Sequence, residues 1–200
     1  FEASGSYARG LWVHGDSDDL SVVSCTFANV NNASSGEAIY VTADGSIDAD
    51  DVFIALNSFQ YGYAHVYTNT YHSATSFSGW ELYLNHHNSA YYGVYIKQAT
   101  DLDISALITQ NVNTAVVLDQ CSGNLDMRRN NISAYQTGLY VYNSSFSSAS
   151  PGVVNNVFRV SGQGWYNPNY DTDSQGIYIA SSNNLKVYHN SVRNASRASG

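Results

Sequence analysis

Positively charged residues are scarce in this chain of 200 residues. Eight Lys and Arg stand against 16 Asp and Glu, which gives a formal net charge of −8 at pH 7. Nucleic acids and anionic membranes are bound by basic surfaces, so the composition disfavours both as partners and leaves sugars, cations and other proteins. Charged residues make up only 12% of the chain, so Ser, Asn, Thr and Gly provide most of its solubility.

Cysteine and long apolar runs are lacking as well. Cys25 and Cys121 are too few for a disulfide scaffold and lack metal-ligand spacing. No apolar run approaches the length of a membrane span, so no membrane insertion is expected. The chain starts at Phe1 with neither Met nor signal peptide, and we interpret it as a segment of a longer protein that is secreted, extracellular or on the cell surface.

What the sequence does have is a pair of short alternating elements that recurs seven times. The first element occupies residues 10–13, 38–41, 65–68, 93–96, 115–118, 138–141 and 176–179. The second element starts at Leu20, Val52, Trp80, Leu102, Leu125, Pro151 and Leu185. Successive units of the first element are 22 residues apart at the shortest (93 to 115) and 38 at the longest (138 to 176).

Alternation with period two in short runs predicts β-strands, and no amphipathic helix of useful length is present. Strands that repeat without crossover helices predict a solenoid, in which equivalent strands stack in parallel about 4.8 Å apart. The alternative, an antiparallel sandwich, needs hairpin turns that the sequence does not show at the expected places. We therefore expect an all-β single domain over residues 1–200, without an internal boundary and with one long loop at 159–175.

One corner of each predicted unit carries an amide side chain. The fifth position after each second-element start holds Cys25, Asn57, Asn85, Leu107, Asn130, Asn156 and Asn190. Asparagine tolerates the left-handed backbone of a tight turn and can bond the backbone of a neighbouring unit. The sequence therefore predicts an asparagine ladder that runs along the stack.

These patterns carry a family resemblance. The stretch "GIYIASSNNLKVYHNSV", with "GLYVYNSS" and "DMRRNNIS" before it, resembles the right-handed parallel β-helix repeat of the pectate-lyase-like superfamily, most closely the NosD-like, carbohydrate-binding and sugar-hydrolase repeats. The resemblance implies a single-stranded right-handed β-helix of about seven visible coils. It matches no catalytic motif of any one subfamily, so no active site is carried over.

The middle of each first element predicts an outward-facing aromatic column, because neighbours on a strand face opposite ways. Its members are Trp12, Tyr40, Tyr67, Tyr95, Val117, Tyr140 and Tyr178. Stacked at strand spacing they form a row about 30 Å long. Such a row fits self-stacking of the rings, binding of sugar rings, or a lateral protein contact or self-association; the reverse register would turn the rings inward.

The second element predicts an acidic column with Glu81, Asp103 and Asp126 on three consecutive units and Arg128 beside it. Carboxylates about 5 Å apart suit a retaining glycosidase, and wider pairs approach the inverting range. The column also fits a cation site, since Ca²⁺ favours several oxygen ligands, or an ordinary solvated face.

Two loop regions complete the candidate sites. The first two units turn through acidic corners that could hold Ca²⁺ or bond their own backbone; the candidate ligands are Asp16, Asp18, Asp19, Asp48, Asp50 and Asp51. The long loop at 159–175 contains Trp165 and Tyr170, which could line a sugar cleft.

Two functions from different classes follow. The first is an extracellular module that binds or processes polysaccharide or a cell-surface glycan, as a binding protein, glycoside hydrolase or lyase. A neutral glycan is favoured, because a lyase needs a basic residue to remove a proton and an acidic face repels a polyuronate. The second is a structural or adhesive surface solenoid without catalytic activity.

Overall fold

The structure is a computed structural model that describes residues 1–2, 8–14, 17–28, 30, 35–43, 49–70, 77–162 and 173–195. These residues form 18 β-strands and no helix. The strands are β1 (Arg9–His14), β2 (Ser21–Val23), β3 (Thr26–Ala28), β4 (Glu37–Ala43), β5 (Phe53–Ala55), β6 (Ser58–Thr70), β7 (Phe77–Tyr83), β8 (His86–Lys97), β9 (Ala99–Ser105), β10 (Ile108–Asp119), β11 (Ser122–Arg128), β12 (Asn131–Tyr142), β13 (Ser145–Phe146), β14 (Gly152–Val154), β15 (Val157–Val160), β16 (Gln175–Ala180), β17 (Val187–Tyr188) and β18 (Ser191–Asn194).

The strands form two parallel sheets. The ten-stranded sheet has the order β1-β4-β6-β8-β10-β12-β15-β18, with β3 beside β6 and β16 beside β12. The eight-stranded sheet has the order β17-β14-β11-β9-β7-β5-β2, with β13 beside β11. Because the chain alternates between two sheets whose strands all pair in parallel in the described residues, the expectation of an all-β, parallel, solenoid-compatible fold is confirmed.

A tight corner joins the two sheets in every unit. The residue just before each ladder position has a left-handed backbone, with φ between 52° and 58° at Ser24, Leu56, Leu84, Ala106, Arg129, Asn155 and His189. Few of these residue types favour that conformation by themselves. The corner therefore needs stabilisation from its surroundings, and the asparagines that follow provide it.

The predicted asparagine ladder is present, and Asn130 illustrates it. This residue is 1% exposed. Its Nδ2 donates to Ile104 O at 2.9 Å and to Asn156 Oδ1 at 2.8 Å, while its Oδ1 accepts from Leu107 N at 2.8 Å. The same pattern joins Asn57 to Asn85 and Asn156 to Asn190. The three rungs Asn57, Asn130 and Asn156 thus bond the backbone of the unit before them and the amide of the unit after them.

The core lies between the sheets and continues the stacking. Phe27 and Phe59 stack with ring centroids 5.1 Å apart, and Phe59 stacks on His87 at 4.8 Å and on His65 at 5.4 Å. Both histidines are fully buried, and their ring nitrogens have no hydrogen-bond partner in the structure. Burial lowers the pKa of both, that of His87 to about 3. The imidazoles therefore act as neutral flat rings that continue a phenylalanine stack.

Two expectations need correction. The long loop is shorter than 159–175, because β15 continues to Val160 with Val160 buried, and β16 begins at Gln175. The alternation of the repeated elements also predicts that Ile179 and Val187 lie in the core, but they are 44% and 40% exposed. They pair on one side only with Val141 and Val153, and among the described residues no strand covers their other side.

The corner ladder gives a first prediction. Asn130→Ala removes two donated bonds and leaves the buried Leu107 N–H without its acceptor, so we expect a loss of about 2–4 kcal/mol in the free energy of unfolding. Urea denaturation of the variant and the parent measures this. Asn131→Ala is the control, because Asn131 is the next residue in the chain and its side chain is exposed. We expect this substitution to lower the free energy of unfolding by less than about 0.5 kcal/mol. Equal losses in both variants would contradict a specific role for the ladder.

The buried imidazoles give a second prediction. Between the pKa of histidine in the unfolded chain, about 6.5, and the value of about 3 for folded His87, only the unfolded chain takes up the proton. The free energy of unfolding therefore decreases as the pH falls below 6.5. At pH 4.5 the loss from His87 alone is about 2–3 kcal/mol. His87→Phe should remove that part of the difference between unfolding free energies at pH 7 and pH 4.5. The exposed His86→Gln is the control, and an unchanged difference in His87→Phe would contradict the assignment.

Candidate functional site

The aromatic column predicted from the sequence is in register. Cα pairs join Trp12 to Tyr40, Tyr40 to Tyr67, Tyr67 to Tyr95, Tyr95 to Val117, Val117 to Tyr140 and Tyr140 to Tyr178. The ten-stranded sheet therefore carries these side chains as one column on its outer face. The rings also contact each other: Tyr40 stacks on Tyr67 at 5.8 Å, and Tyr67 stacks on Tyr95 at 4.8 Å.

The column is not open along its whole length, which corrects the expectation of a continuous exposed strip. Trp12 and Tyr178 are 55% and 40% exposed, but Tyr40 is only 5% exposed. The guanidinium of Arg9 lies over the Tyr40 ring at 3.9 Å and pairs with Glu37 at 3.4 Å. A ligand cannot stack on Tyr40, so the accessible rings of the column are Trp12 at its start and those towards Tyr178 at its other end.

A hydrogen-bonded cluster crosses the column at that end. The hydroxyl of Tyr95 lies 3.3 Å from Asp119 Oδ2 and 3.2 Å from the hydroxyl of Tyr142. Burial raises the pKa of both phenols, that of Tyr142 to about 12, and the neighbouring Asp119 carboxylate adds to this. Both tyrosines therefore stay protonated over the ordinary pH range. The contact between the two hydroxyls spans the strand that carries Val117.

A cleft of about 390 Å³ opens beside this cluster. It lies where the column has valine in place of an aromatic residue, with Tyr95 and Tyr140 on either side. Its lining residues are Tyr91, Tyr92, Tyr95, Thr114, Val117, Gln136, Thr137, Tyr140, Tyr142, Gln175 and Tyr178. The cleft combines aromatic rings, amides and hydroxyls, and none of the described residues that line it is charged.

The sequence pattern missed several of these residues. Tyr91, Tyr92 and Tyr142 lie outside the repeated template, and Tyr142 stacks on Tyr140 at 5.0 Å. Alternation could have found Tyr142, because residues two apart on a strand share a face. Gln136 and Thr114 lie just before the repeated first elements of their units, so the repeat pattern did not indicate them.

The acidic column is also in register, on the eight-stranded sheet. Cα pairs join Glu81 to Asp103 and Asp103 to Asp126. Arg128 compensates part of the charge, since it lies 2.9 Å from Asp126 Oδ2 and 3.4 Å from Asp103 Oδ2. The structure thus brings together all four candidate catalytic residues.

These carboxylates line a groove of about 280 Å³, together with Asp51 and Asp101. Partial burial raises the pKa of Asp126, the Arg128 guanidinium opposes this, and the charge of Asp103 adds to it. The pKa of Asp126 therefore lies above the usual range of an aspartate.

In the acidic corners, aspartate side chains accept hydrogen bonds from backbone N–H groups of the next unit. Asp18 Oδ1 accepts from Asp50 N at 3.3 Å, and Asp50 Oδ1 accepts from Ser78 N at 2.7 Å. Asp19 and Asp51 adopt left-handed conformations at the same corner. These contacts support the turn-forming alternative.

Four predicted site residues, Asp16, Asp48, Trp165 and Tyr170, lie outside the described residues. In the part of the chain that is described, no three His, Cys, Asp or Glu side chains come together in a way that could hold a metal ion. The same part contains no helix with the length and apolar character needed to cross a membrane. Calcium binding stays a prediction.

Comparison of the chain with protein-family models, with curated proteins and with solved structures found no match. What the two sites can do is inferred from their own residues. The aromatic cleft lies on the ten-stranded sheet and the acidic groove on the eight-stranded sheet. The residues predicted to bind sugar and those predicted to cleave it are therefore on different faces.

Proposed function

We propose that this protein is a secreted right-handed parallel β-helix of about seven coils, similar to the pectate-lyase-like superfamily, that binds a neutral polysaccharide along its aromatic column. The observation that carries the proposal is the cleft at Val117, where six tyrosines surround uncharged polar side chains. Rings that present an apolar face next to hydroxyl and amide groups suit a pyranose, which has apolar C–H faces and a polar rim.

The parallel pairing supports the right-handed sense. A strand that returns to its own sheet in parallel does so through a right-handed connection in about 98% of cases. Successive strands of each sheet here are linked through a strand of the other sheet. Each unit is then one coil, and the ladder and the aromatic column follow the axis of the stack.

Charge supports a neutral ligand. The chain has a net charge of −8, and the lining of the cleft, as far as the structure describes it, offers no Lys or Arg to a carboxylate or sulfate group. A polyuronate would bring further negative charge to this surface, whereas an uncharged glycan pays no such electrostatic cost. Lateral contact with a protein, as in an adhesive solenoid, is the competing use of the same rings.

Glycan binding gives a third prediction. Tyr178→Ala removes a 40% exposed ring from the cleft, and the loss of one aromatic contact of about 0.5–1.5 kcal/mol should weaken binding about 2- to 10-fold. Calorimetric titration with neutral oligosaccharides chosen from a glycan array measures this. Tyr188→Ala is the matched control, because Tyr188 is 43% exposed on the eight-stranded sheet.

The same titrations can overturn the proposal. If the parent protein binds no neutral glycan on the array, the polysaccharide function is wrong and the adhesive solenoid gains support. If Tyr178→Ala and Tyr188→Ala weaken binding equally, the aromatic column is not the binding face.

A second candidate function is glycoside hydrolysis at the acidic groove. It is favoured by the raised pKa of Asp126, which suits a general acid, in a column with two further carboxyl groups, Glu81 and Asp103. Glu81 lies two strands away, about 9–10 Å at strand spacing, close to the separation of an inverting pair. Asp126 would then protonate the leaving oxygen while Glu81 takes the proton of the attacking water.

Hydrolysis gives a fourth prediction. If the groove is catalytic, Asp126→Asn and Glu81→Gln should each lower the rate of glycan cleavage by about 10²–10⁴-fold, measured as reducing ends released with and without EDTA. Tyr178→Ala controls for loss of binding on the other sheet. No cleavage by the parent protein, or full activity in both variants, would exclude this second function.

A further inference from the structure

Three rings lie stacked in the core where β6 meets β8. His65 on β6 and His87 on β8 are 0% exposed, and their ring centroids are 5.4 Å apart with 27° between the planes. Both rings also stack on Phe59 of β6, His65 at 5.4 Å and His87 at 4.8 Å. We call these three residues the histidine cluster. It joins two strands that pair in parallel within the ten-stranded sheet.

The repeat requires histidine at neither of these two positions. The position of His65 carries a small residue in the other units, which hold Gly10, Ala38, Gly93, Ala115, Gly138 and Gly176. The position of His87 carries uncharged residues in the other units, which hold Phe27, Phe59, Thr109, Ile132, Phe158 and Val192. A Cβ added at Gly138 would lie 2.8 Å from the Phe158 ring, so the two positions face each other in the core of that unit as well. The two imidazoles are therefore a departure from the repeat at one place in the stack.

The surroundings of the two imidazoles disfavour a proton on either ring. Their ring nitrogens have no hydrogen-bond partner among the described residues, and a buried charge without a partner is costly. Burial lowers the pKa of both rings, and neighbouring histidines add to this effect: His87 and His86 act on His65, and His86 acts on His87. A proton on one ring of the cluster therefore opposes a proton on the other.

The strands around the cluster offer it no negative charge in the part of the chain that the structure describes. Glu37 on β4 is buried but pairs with Arg9, and Asp119 on β10 is buried but lies 3.3 Å from the hydroxyl of Tyr95. Across the core, the buried side chains of β5 and β7 are apolar; they are Ile54, Ala55, Phe77, Trp80 and Leu82. The imidazoles therefore take up protons only when they reach water, which requires β6 and β8 to separate.

We propose that the histidine cluster is an acid-sensitive contact at which the stack opens between β6 and β8 as the surroundings become acidic, while the units further along stay stacked. Opening at one place leaves the rest folded because each unit of a solenoid contacts only its neighbours. Tyr67 on β6 stacks on Tyr95 on β8 at 4.8 Å, so opening also divides the aromatic column. This conformational change does not depend on what the column binds.

The direction of the pH effect follows from the two states. Well above the ordinary histidine pKa of about 6.5, neither the closed nor the opened state binds these protons, and the contact has its full stability. Below that value the opened state binds them and the closed state does not. Each histidine therefore favours opening about 10²-fold between pH 7 and pH 4.5.

Amide hydrogen exchange at pH 7 and pH 4.5, corrected for the intrinsic exchange rate at each pH, tests this strand by strand. We expect the protection of β6 and β8 to fall at least about 100-fold between the two pH values, and that of β12 and β15 to fall less than about 10-fold. The double variant His65→Ala, His87→Phe carries at both positions a residue type that other units have there, so it should fold. We expect its protection in β6 and β8 to fall less than about 10-fold. His86→Gln changes the exposed histidine next to His87 and should behave as the parent does.

Two outcomes would overturn the proposal. If the protection of the parent falls equally in all strands, the histidines lower the stability of the whole chain and the stack does not open at β6 and β8. If the double variant loses as much protection in β6 and β8 as the parent does, the cluster is not the acid-sensitive contact. Should the double variant not fold, His87→Phe alone decides: we expect it to reduce the loss of protection at least about 10-fold, and a loss equal to that of the parent overturns the proposal.

Discussion

The corner asparagine ladder is the interaction on which the rest of the structure depends. Each unit turns through a left-handed residue that few of the side chains present would adopt unaided. In five of the seven units an asparagine follows that residue, and a rung such as Asn130 bonds the backbone of the unit before and the amide of the unit after, so the turn is stabilised only when its neighbours are in place. Because this bond fixes each unit against the next at one point, every other position of the repeat is brought into register as well.

Because the units are in register, a residue type that repeats in every unit forms a column along the stack. A unit that carries a different residue type changes that column at one place. Leucine replaces asparagine at position 107, so the amide-to-amide bonds are interrupted between Asn85 and Asn130, while Asn130 Oδ1 still accepts from Leu107 N. Valine replaces an aromatic residue at position 117, and there the flanking tyrosines cover the valine and line a cleft instead of continuing the row of rings.

Much of this could be predicted from the sequence, because alternation and period are local properties of the chain. These two properties predict the pairing of the aromatic column, the acidic column and the asparagine corner. They do not predict how far a side chain is buried, because burial depends on side chains from other parts of the chain. Arg9 covers Tyr40 because Glu37 holds it there, and Ile179 is exposed because no described strand lies beyond it. The cluster of Tyr95, Asp119 and Tyr142 joins three units, so no single repeat carries its signal.

The separation of the two sites on different sheets constrains any function that combines them. A glycan stacked on the aromatic column runs along the axis of the stack, and the carboxylates of Glu81, Asp103 and Asp126 lie along the same axis on the other sheet. A chain bound at the cleft would have to pass around a corner to reach them. Under the two proposed functions, binding and cleavage would therefore act on different parts of a polysaccharide or on different chains, and the aromatic face would hold the protein on its substrate rather than orient the bond that breaks.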